Sequence, residues 1–342
     1  MPSPRLRRGA AILSLLTAGA LALSACSTAS TPTASESASS GGFPATIEHV
    51  YGKTVVASAP KRVAAIGWGS ADASIALGTV PVTIPTSTFG DTDGDGYLAW
   101  TKDAVEAAKA KLPALHDETD GIPYEKISDA TPDVILATNS GLSKQEYDTL
   151  TKIAPTVAYP DQPWGTPWRE STRMVGAALG KSAEAKKLIA DTEKDMSTEM
   201  AKYPATQGKT GMVMWVDAKD LGKVQFYTPS DTRVQYLNDL GFATPQSIKD
   251  LSKGEKGFVT TISAEQADKL DADVAVIYVQ GGDLSTLQND PLLSRIPAVK
   301  KGAVVPMNDE ALLMAISAPT VLSIPWALPT YARLLGEAAA KA

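Results

Sequence analysis

One stretch limits the architecture more than any other: from Pro167 to about Lys202 no strand-like run appears, whereas strands and helices alternate on both sides of it. "PWRESTRMVGAALG" and "SAEAKKLIADTEKDMSTEMAKY" carry helical periodicity, charged outer faces and strong helix formers, with Ser182 placed to cap the second segment. Such a stretch is too long for an ordinary crossover within one sheet. It predicts a helical connector over 166–202 between two separate α/β lobes, 43–165 and 203–342.

Ahead of the connector, "TIEHVYGKTVV" reads as a hairpin turning at Gly52-Lys53. "RVAAIGW", "VPVTIP", "PDVILAT" and "APTVAYP" are continuous apolar runs of the kind buried on both faces of a parallel sheet. "SADASIALG" is a helix that Gly78 stops. Behind the connector, "KTGMVMWV", "KVQFYT", "DVAVIYV" and "GAVVPM" read as strands and "TRVQYLNDLG" as a helix. "APTVLSIPWALPTYARLLGEAAA" closes the chain as proline-broken helix. The expectation is an α/β fold with mainly parallel sheets.

The first residues stand apart from this body. Arg5, Arg7 and Arg8 precede an apolar run, Gly9 to Leu23, that is short for a membrane span. The run ends in Leu23-Ser24-Ala25-Cys26, and Cys26 is the sole cysteine of 342 residues. This resembles the lipobox of bacterial lipoproteins, in which the thiol carries the lipid and residues 1–25 are removed as signal peptide. Loss of those residues and their three arginines takes the formal charge from −6 to −9, a balance that disfavours a nucleic-acid partner. With no second cysteine, packing has to supply the stability. Residues 26–42, rich in Ser, Thr, Ala and Gly, read as lipidated cysteine plus flexible tether.

Two phrases then match across the connector. "EKISDATPDVIL" (125–136) and "EQADKLDADVAV" (265–276) both start on glutamate, pass through a short helix and reach Asp-Val and a strand. Each half thus repeats a strand, a helix ending Leu-Gly, a variable region and this phrase. With "PKRVAAIGWGSADASIALG", "PYEKISDATPDVILAT", "ALGKSAEAKKLIADTE", "YLNDLGF" and "LSIPWAL" in that order, the chain resembles the substrate-binding proteins of bacterial ABC importers. More narrowly it is similar to the class that captures iron-siderophores, haem or cobalamin, and in wording to siderophore binders of Gram-positive actinobacteria. The resemblance implies the class III architecture: two Rossmann-like lobes joined by a single long α-helix that acts as a stiff hinge. It also implies a monomer held outside the cytoplasmic membrane by a lipid on Cys26. In that family one surface glutamate per lobe docks on a two-fold symmetric permease dimer, and Glu125 and Glu265 are the matching positions. A first-turn glutamate is also favoured by the helix dipole, and Ser263 with Gln266 fits a capping box.

Ligands of parallel α/β lobes sit beyond the carboxyl ends of strands. The candidates there are Trp68, Trp100, Asn139, Trp164, Trp168 and Arg169 in the first half and connector, and Trp215, Tyr227, Arg233, Tyr278 and Gln280 in the second. A single tryptophan serves a core as readily as a cleft; their collective position at strand ends favours a cleft. Aromatic walls suit a large, partly apolar ligand, and arginine suits the oxygens around a chelated ferric ion. Bare iron fits poorly, because the only two histidines, His49 and His116, fall in the opening hairpin and in a loop, and no Tyr-Tyr pair appears. No residue marks a haem ligand, although a tyrosine could serve. No resident cofactor or metal is expected.

Two motifs compete with this reading. "DTDGDGYLAWTK" (91–102) has the early aspartates and the glycine of a calcium loop but Lys102 where a bidentate glutamate belongs. It is expected instead to be an Asx/Gly loop carrying Trp100 to the cleft. Ser58-Ala59-Pro60-Lys61, Ser128-Asp129 and Lys209-Thr210-Gly211 echo the penicillin-recognising serine enzymes, but Pro60 leads into a strand and Ala130 replaces the asparagine. The expectation is a binder, not an enzyme.

Overall fold

The computed structural model describes residues 42–342; the proposed lipobox, Cys26 and most of the tether lie outside them. The body opens on an antiparallel hairpin, β1 (Ala45–His49) and β2 (Gly52–Val56). Its turn is Val50-Tyr51, just ahead of the expected Gly52-Lys53, because His49 pairs with Gly52. Tertiary contacts fix that register. Val50 N donates to Tyr159 O at 2.9 Å, and the Tyr51 hydroxyl contacts that of Tyr159 at 2.9 Å and donates to Leu142 O.

The first large sheet holds β3 (Val63–Ala65), β4 (Thr83–Pro85), β5 (Ala114–His116), β6 (Val134–Leu136) and β7 (Thr156–Val157). Its order is β5-β4-β3-β6-β7, every pair parallel. β3 and β6 are wholly buried, as continuous apolar runs require when helices cover both faces. The strand order reverses between β3 and β6, which opens a crevice beyond their carboxyl ends.

The second sheet holds β8 (Gly211–Asp217), β9 (Lys223–Tyr227), β10 (Val259–Ser263), β11 (Val274–Gln280) and β12 (Val304–Pro306), in the order β10-β9-β8-β11-β12. This order reproduces that of the first sheet strand for strand. The sheet is mixed: β8, β11 and β12 run parallel, while β9 is antiparallel to β8 and to β10. Only residues 218–222 separate β8 from β9, too few for the crossover a parallel pair needs.

The connector is two helices, Trp168–Ala178 and Ser182–Met200. Gly180, at φ +68°, makes the turn between them. Ser182 is the first helical residue and not the cap, which is Lys181; the Lys181 ammonium reaches Leu77 O at 2.5 Å. The 182–200 helix is the spine, about 28 Å long at 1.5 Å per residue. Helices Glu310–Ser317 and Ser323–Ala339 close the chain, with Pro329 inside the second. The largest apolar core joins both halves. It takes Val63 and Leu136 from the first sheet, Val213 and Val305 from the second, and Tyr331 and Leu335 from the closing helix.

Candidate functional site

The crevice begins where β3 gives out. Gly67 has φ +67°, and a Cβ there would meet Asn139 O at 2.5 Å, so only glycine lets the two strand ends approach. Trp68 N donates to Asn139 O at 2.9 Å. The Asn139 side chain is buried, its Oδ1 accepting from Thr166 N at 3.3 Å. Asn139 thus braces the loop that presents Trp164. The Trp68 and Trp164 rings lie 4.9 Å apart at 48° and are unusually open for tryptophan, 42% and 39% exposed. Trp164 lies over Gly141, where a Cβ would come within 2.4 Å of its Nε1. The pair overhangs a cavity of about 330 Å³ that also includes Asp117, Glu118 and Glu146.

A second cavity, of about 380 Å³, lies toward the second sheet. Trp215 of β8, Tyr227 of β9 and Tyr278 of β11 line it with Arg233, and Phe89 reaches it from the first half. Arg233 is held on three sides. Its guanidinium lies 4.3 Å over the Tyr227 ring, Nη1 donates to both oxygens of Asp231 at 3.1 and 2.9 Å, and Nε donates to Ser317 Oγ at 3.2 Å. Nη2 has no protein hydrogen bond among the described residues, which leaves one edge of the fork for a ligand. Asp231 also caps the helix Thr232–Asp239. Burial pushes its carboxyl upward and the nearby Arg233 charge opposes that shift. Burial likewise raises the Tyr227 phenol, which remains a neutral hydroxyl at neutral pH.

Four other predicted positions line neither of these two cavities, although Trp100 and Trp168 each border a smaller one beside Trp68. Trp100 begins a helix, Ala99–Ala107, instead of ending a loop, and the helix turns it inward to 3% exposure. Its Nε1 donates to Asp72 at 2.8 Å and its ring lies 5.3 Å from that of Trp326. Trp168 is buried, with Nε1 donating to Asp239 at 3.0 Å. Arg169 stacks on Trp168 and pairs with Asp239 at 2.6 Å and Glu193 at 2.5 Å. These two residues therefore tie the start of the connector to the 232–239 helix. Gln280 is exposed at the end of β11, paired in register with Asp217, and lines neither cavity. The reading of the sequence passed over Phe89, Ser317 and Glu118. Phe89 was detectable as a lone aromatic before a glycine-rich loop; Ser317 and Glu118 carry no signal without the tertiary contacts.

The competing motifs also resolve. Asp91, Asp93 and Asp95 bring carboxylate oxygens within 4.8 Å of one another, but the Lys102 ammonium bonds both Asp93, at 2.9 Å, and Asp95. The cation at the loop is thus the chain's own. His116 is buried between Thr83 and Glu118, at 2.8 and 3.0 Å, and His49 bonds Thr54 at 2.9 Å. Ser58 sits in an exposed loop between β2 and β3, with no helix to present it to Lys61.

The paired glutamates are both exposed, and neither forms an ion pair among the described residues. Glu125 lies in the helix Tyr124–Asp129 and Glu265 in the 3-10 turn Ala264–Lys269. The segments lead into β6 and β11, which hold equivalent places in the two sheets. The capping box does not form: Ser263 accepts from Glu265 N at 3.3 Å, while Gln266 accepts from Lys269.

Known proteins share this arrangement. Residues 63–311 match the family model described as periplasmic binding protein. The chain is 27% identical over 300 residues to the probable siderophore-binding lipoprotein YfiY of Bacillus subtilis, covering 84% of this chain and 87% of that one. It is 27% identical over 296 residues to the iron(3+)-hydroxamate-binding protein YxeB of the same organism, covering 84% and 85%. The crystal structure of Streptococcus pneumoniae PiaA in complex with ferrichrome superposes with a TM-score of 0.81 and 41% identity, covering 87% of this chain and 99% of PiaA. With two like-ordered sheets, a helical spine and a family match over residues 63–311, the chain belongs to the periplasmic binding protein family.

Proposed function

We propose that the chain is the extracytoplasmic receptor of an ABC importer that captures a ferric siderophore, of the hydroxamate class, between its two lobes. The observation that carries this is the Arg233 site: a guanidinium stacked on Tyr227, one edge unsatisfied, in a cavity walled by Trp215 and Tyr278. A ferric hydroxamate offers a compact ring of partly anionic oxygens inside an organic shell. The free guanidinium edge suits the oxygens, and the aromatic faces suit the shell. The likeness to a structure holding ferrichrome and to a relative named for hydroxamate binding supports that choice over haem or cobalamin.

In this reading the lobes span 43–165 and 203–342, the spine limits how far they close, and the iron chelate is cargo, with no resident cofactor. Cys26 carries the lipid that holds the receptor at the membrane. Support comes from the lipobox pattern and from a relative named as a lipoprotein; no described helix is long and apolar enough to cross a membrane. Glu125 and Glu265 dock on a permease dimer. Exposed ion pairs are individually weak, so the pair sets orientation and encounter more than affinity.

The test is tryptophan fluorescence quenching with ferric hydroxamates, ferric catecholates, haem and cobalamin. The expected result is saturable quenching by a ferric hydroxamate with at least tenfold preference over the others. Tighter binding of haem or cobalamin would replace this reading.

A further inference from the structure

The two cavities differ in the charged groups on their walls. The one against the second sheet is lined by a single charged side chain, Arg233. The one beneath Trp68 and Trp164 is lined by three carboxylates, Asp117, Glu118 and Glu146, and by no lysine or arginine.

Each of these carboxylates is held in place by local hydrogen bonds. Glu118, with its side chain only 18% exposed, accepts from Gly67 N at 3.1 Å and faces His116 Nε2 at 3.0 Å. Both ring nitrogens of His116 have partners, Nδ1 at 2.8 Å from Thr83 Oγ1 and Nε2 at 3.0 Å from Glu118. The side-chain and backbone hydrogen bonds from Thr119 hold Asp117 below the usual carboxylate range. Glu146 accepts from the backbone and hydroxyl of Ser143, both at 2.7 Å. Helix capping and loop turns account for parts of this bonding. They do not account for a cavity of about 330 Å³ beside two open indoles tilted against each other, with no basic group on its wall. Indole faces and carboxylates together recognise an ammonium group, the first through the ring quadrupole and the second through charge.

We propose that this pocket is a subsite for a cationic appendage of the cargo, so that the receptor selects ferric chelates bearing a primary ammonium over neutral chelates with the same iron-binding groups. The inference rests on the siderophore reading and deepens it: the chelate oxygens face Arg233 and the ammonium points the other way, beneath Trp68 and Trp164. The selectivity is electrostatic and weakens with salt, since the pocket mouth is open to solvent.

A matched ligand pair tests it without altering the protein. Affinity is measured by tryptophan quenching for the ferric complex of a linear trihydroxamate ending in a primary amine, and for its N-acetyl derivative, at low and high salt. Acetylation removes the charge and leaves the iron coordination intact. The expected result is at least tenfold weaker binding of the acetylated complex at low salt, a gap that narrows at high salt and in the Glu118→Gln and Asp117→Asn variants. Equal affinity of the two complexes overturns the subsite and leaves the siderophore reading standing. No binding of either, with clear binding of haem or cobalamin, overturns both.

Discussion

Replacing Arg233 with lysine separates recognition geometry from charge. Lysine retains a cation beside Asp231 but loses the planar fork, the stack 4.3 Å over Tyr227 and the Nη2 edge. One charge-assisted hydrogen bond to the cargo is worth about 1.5–3 kcal/mol, while the Tyr227 stack, present with and without cargo, sets the orientation of the fork and cancels from the binding difference. A loss of about 1.5–3 kcal/mol corresponds to roughly 10- to 150-fold weaker binding, at about 1.4 kcal/mol per factor of ten. Alanine is a poorer choice, because Asp231 is 3% exposed and would lose its counter-charge, a change that destabilises a fold by about 3–5 kcal/mol. The assay is fluorescence titration with a ferric hydroxamate, Trp215 reporting from the same cavity, with thermal unfolding measured in parallel. R233K should unfold near the wild-type temperature and bind roughly 10- to 150-fold more weakly, as estimated above. Wild-type affinity in R233K would show that the guanidinium does not contact the cargo.

Three further outcomes follow from the same geometry. Asp72, 5% exposed, accepts from Trp100, Thr101 and Thr320, and burial raises its pKa despite those bonds; the folded state therefore holds this proton at pH values where the unfolded chain has lost it. Its contribution to stability is greatest below the unfolded value and falls as pH rises through the folded one, so the stability difference between wild type and Asp72→Asn, followed by denaturant titration from pH 3 upward, should shift against wild type with rising pH; an unchanged difference would refute the assignment. Gly67→Ala forces a left-handed residue against Asn139 O, which should cost about 1–3 kcal/mol in denaturant titrations and displace Trp68, visible as weaker quenching. The Glu125→Ala/Glu265→Ala double variant should keep wild-type ligand affinity and lose uptake of radiolabelled ferric chelate by cells; unimpaired uptake would remove the docking role.

Much of this fold was legible because buried parallel strands leave an unmistakable mark. "RVAAIGW", "PDVILAT" and "DVAVIYV" each gave a strand where expected. The strands that escaped notice, β5 and β10, each lie at one edge of their sheet. β10, "VTTIS", has no buried residue, and β5, "ALH", buries only its histidine, so neither carries an apolar run, whereas the opposite edges β7 and β12 are mostly buried and were legible. The helix at 99–107 was hidden by the glycines and aspartates just before it, which led Trp100 to be read as part of a loop.

The site was less legible than the fold, for a reason of the same kind. Position at a strand end brings a residue near the crevice, but its neighbours decide whether it faces the ligand. Trp68, Trp164, Trp215, Tyr227, Arg233 and Tyr278 line the cavities. Trp168 and Arg169 follow a strand end in the same way, yet both bond Asp239, distant in sequence, and line neither cavity. Asn139 works one layer back, bracing the loop that carries Trp164. No local pattern separates these outcomes.

The proposed function places the cargo between the two lobes, with iron near Arg233. The most direct measurement is the anomalous scattering peak of iron in crystals of the protein grown with a ferric trihydroxamate. A single peak in the cleft, within one chelate radius of the Arg233 guanidinium and below the Trp68–Trp164 pair, is the predicted result. Iron on the 91–95 carboxylates or on an outer surface, with the cleft empty, would contradict it.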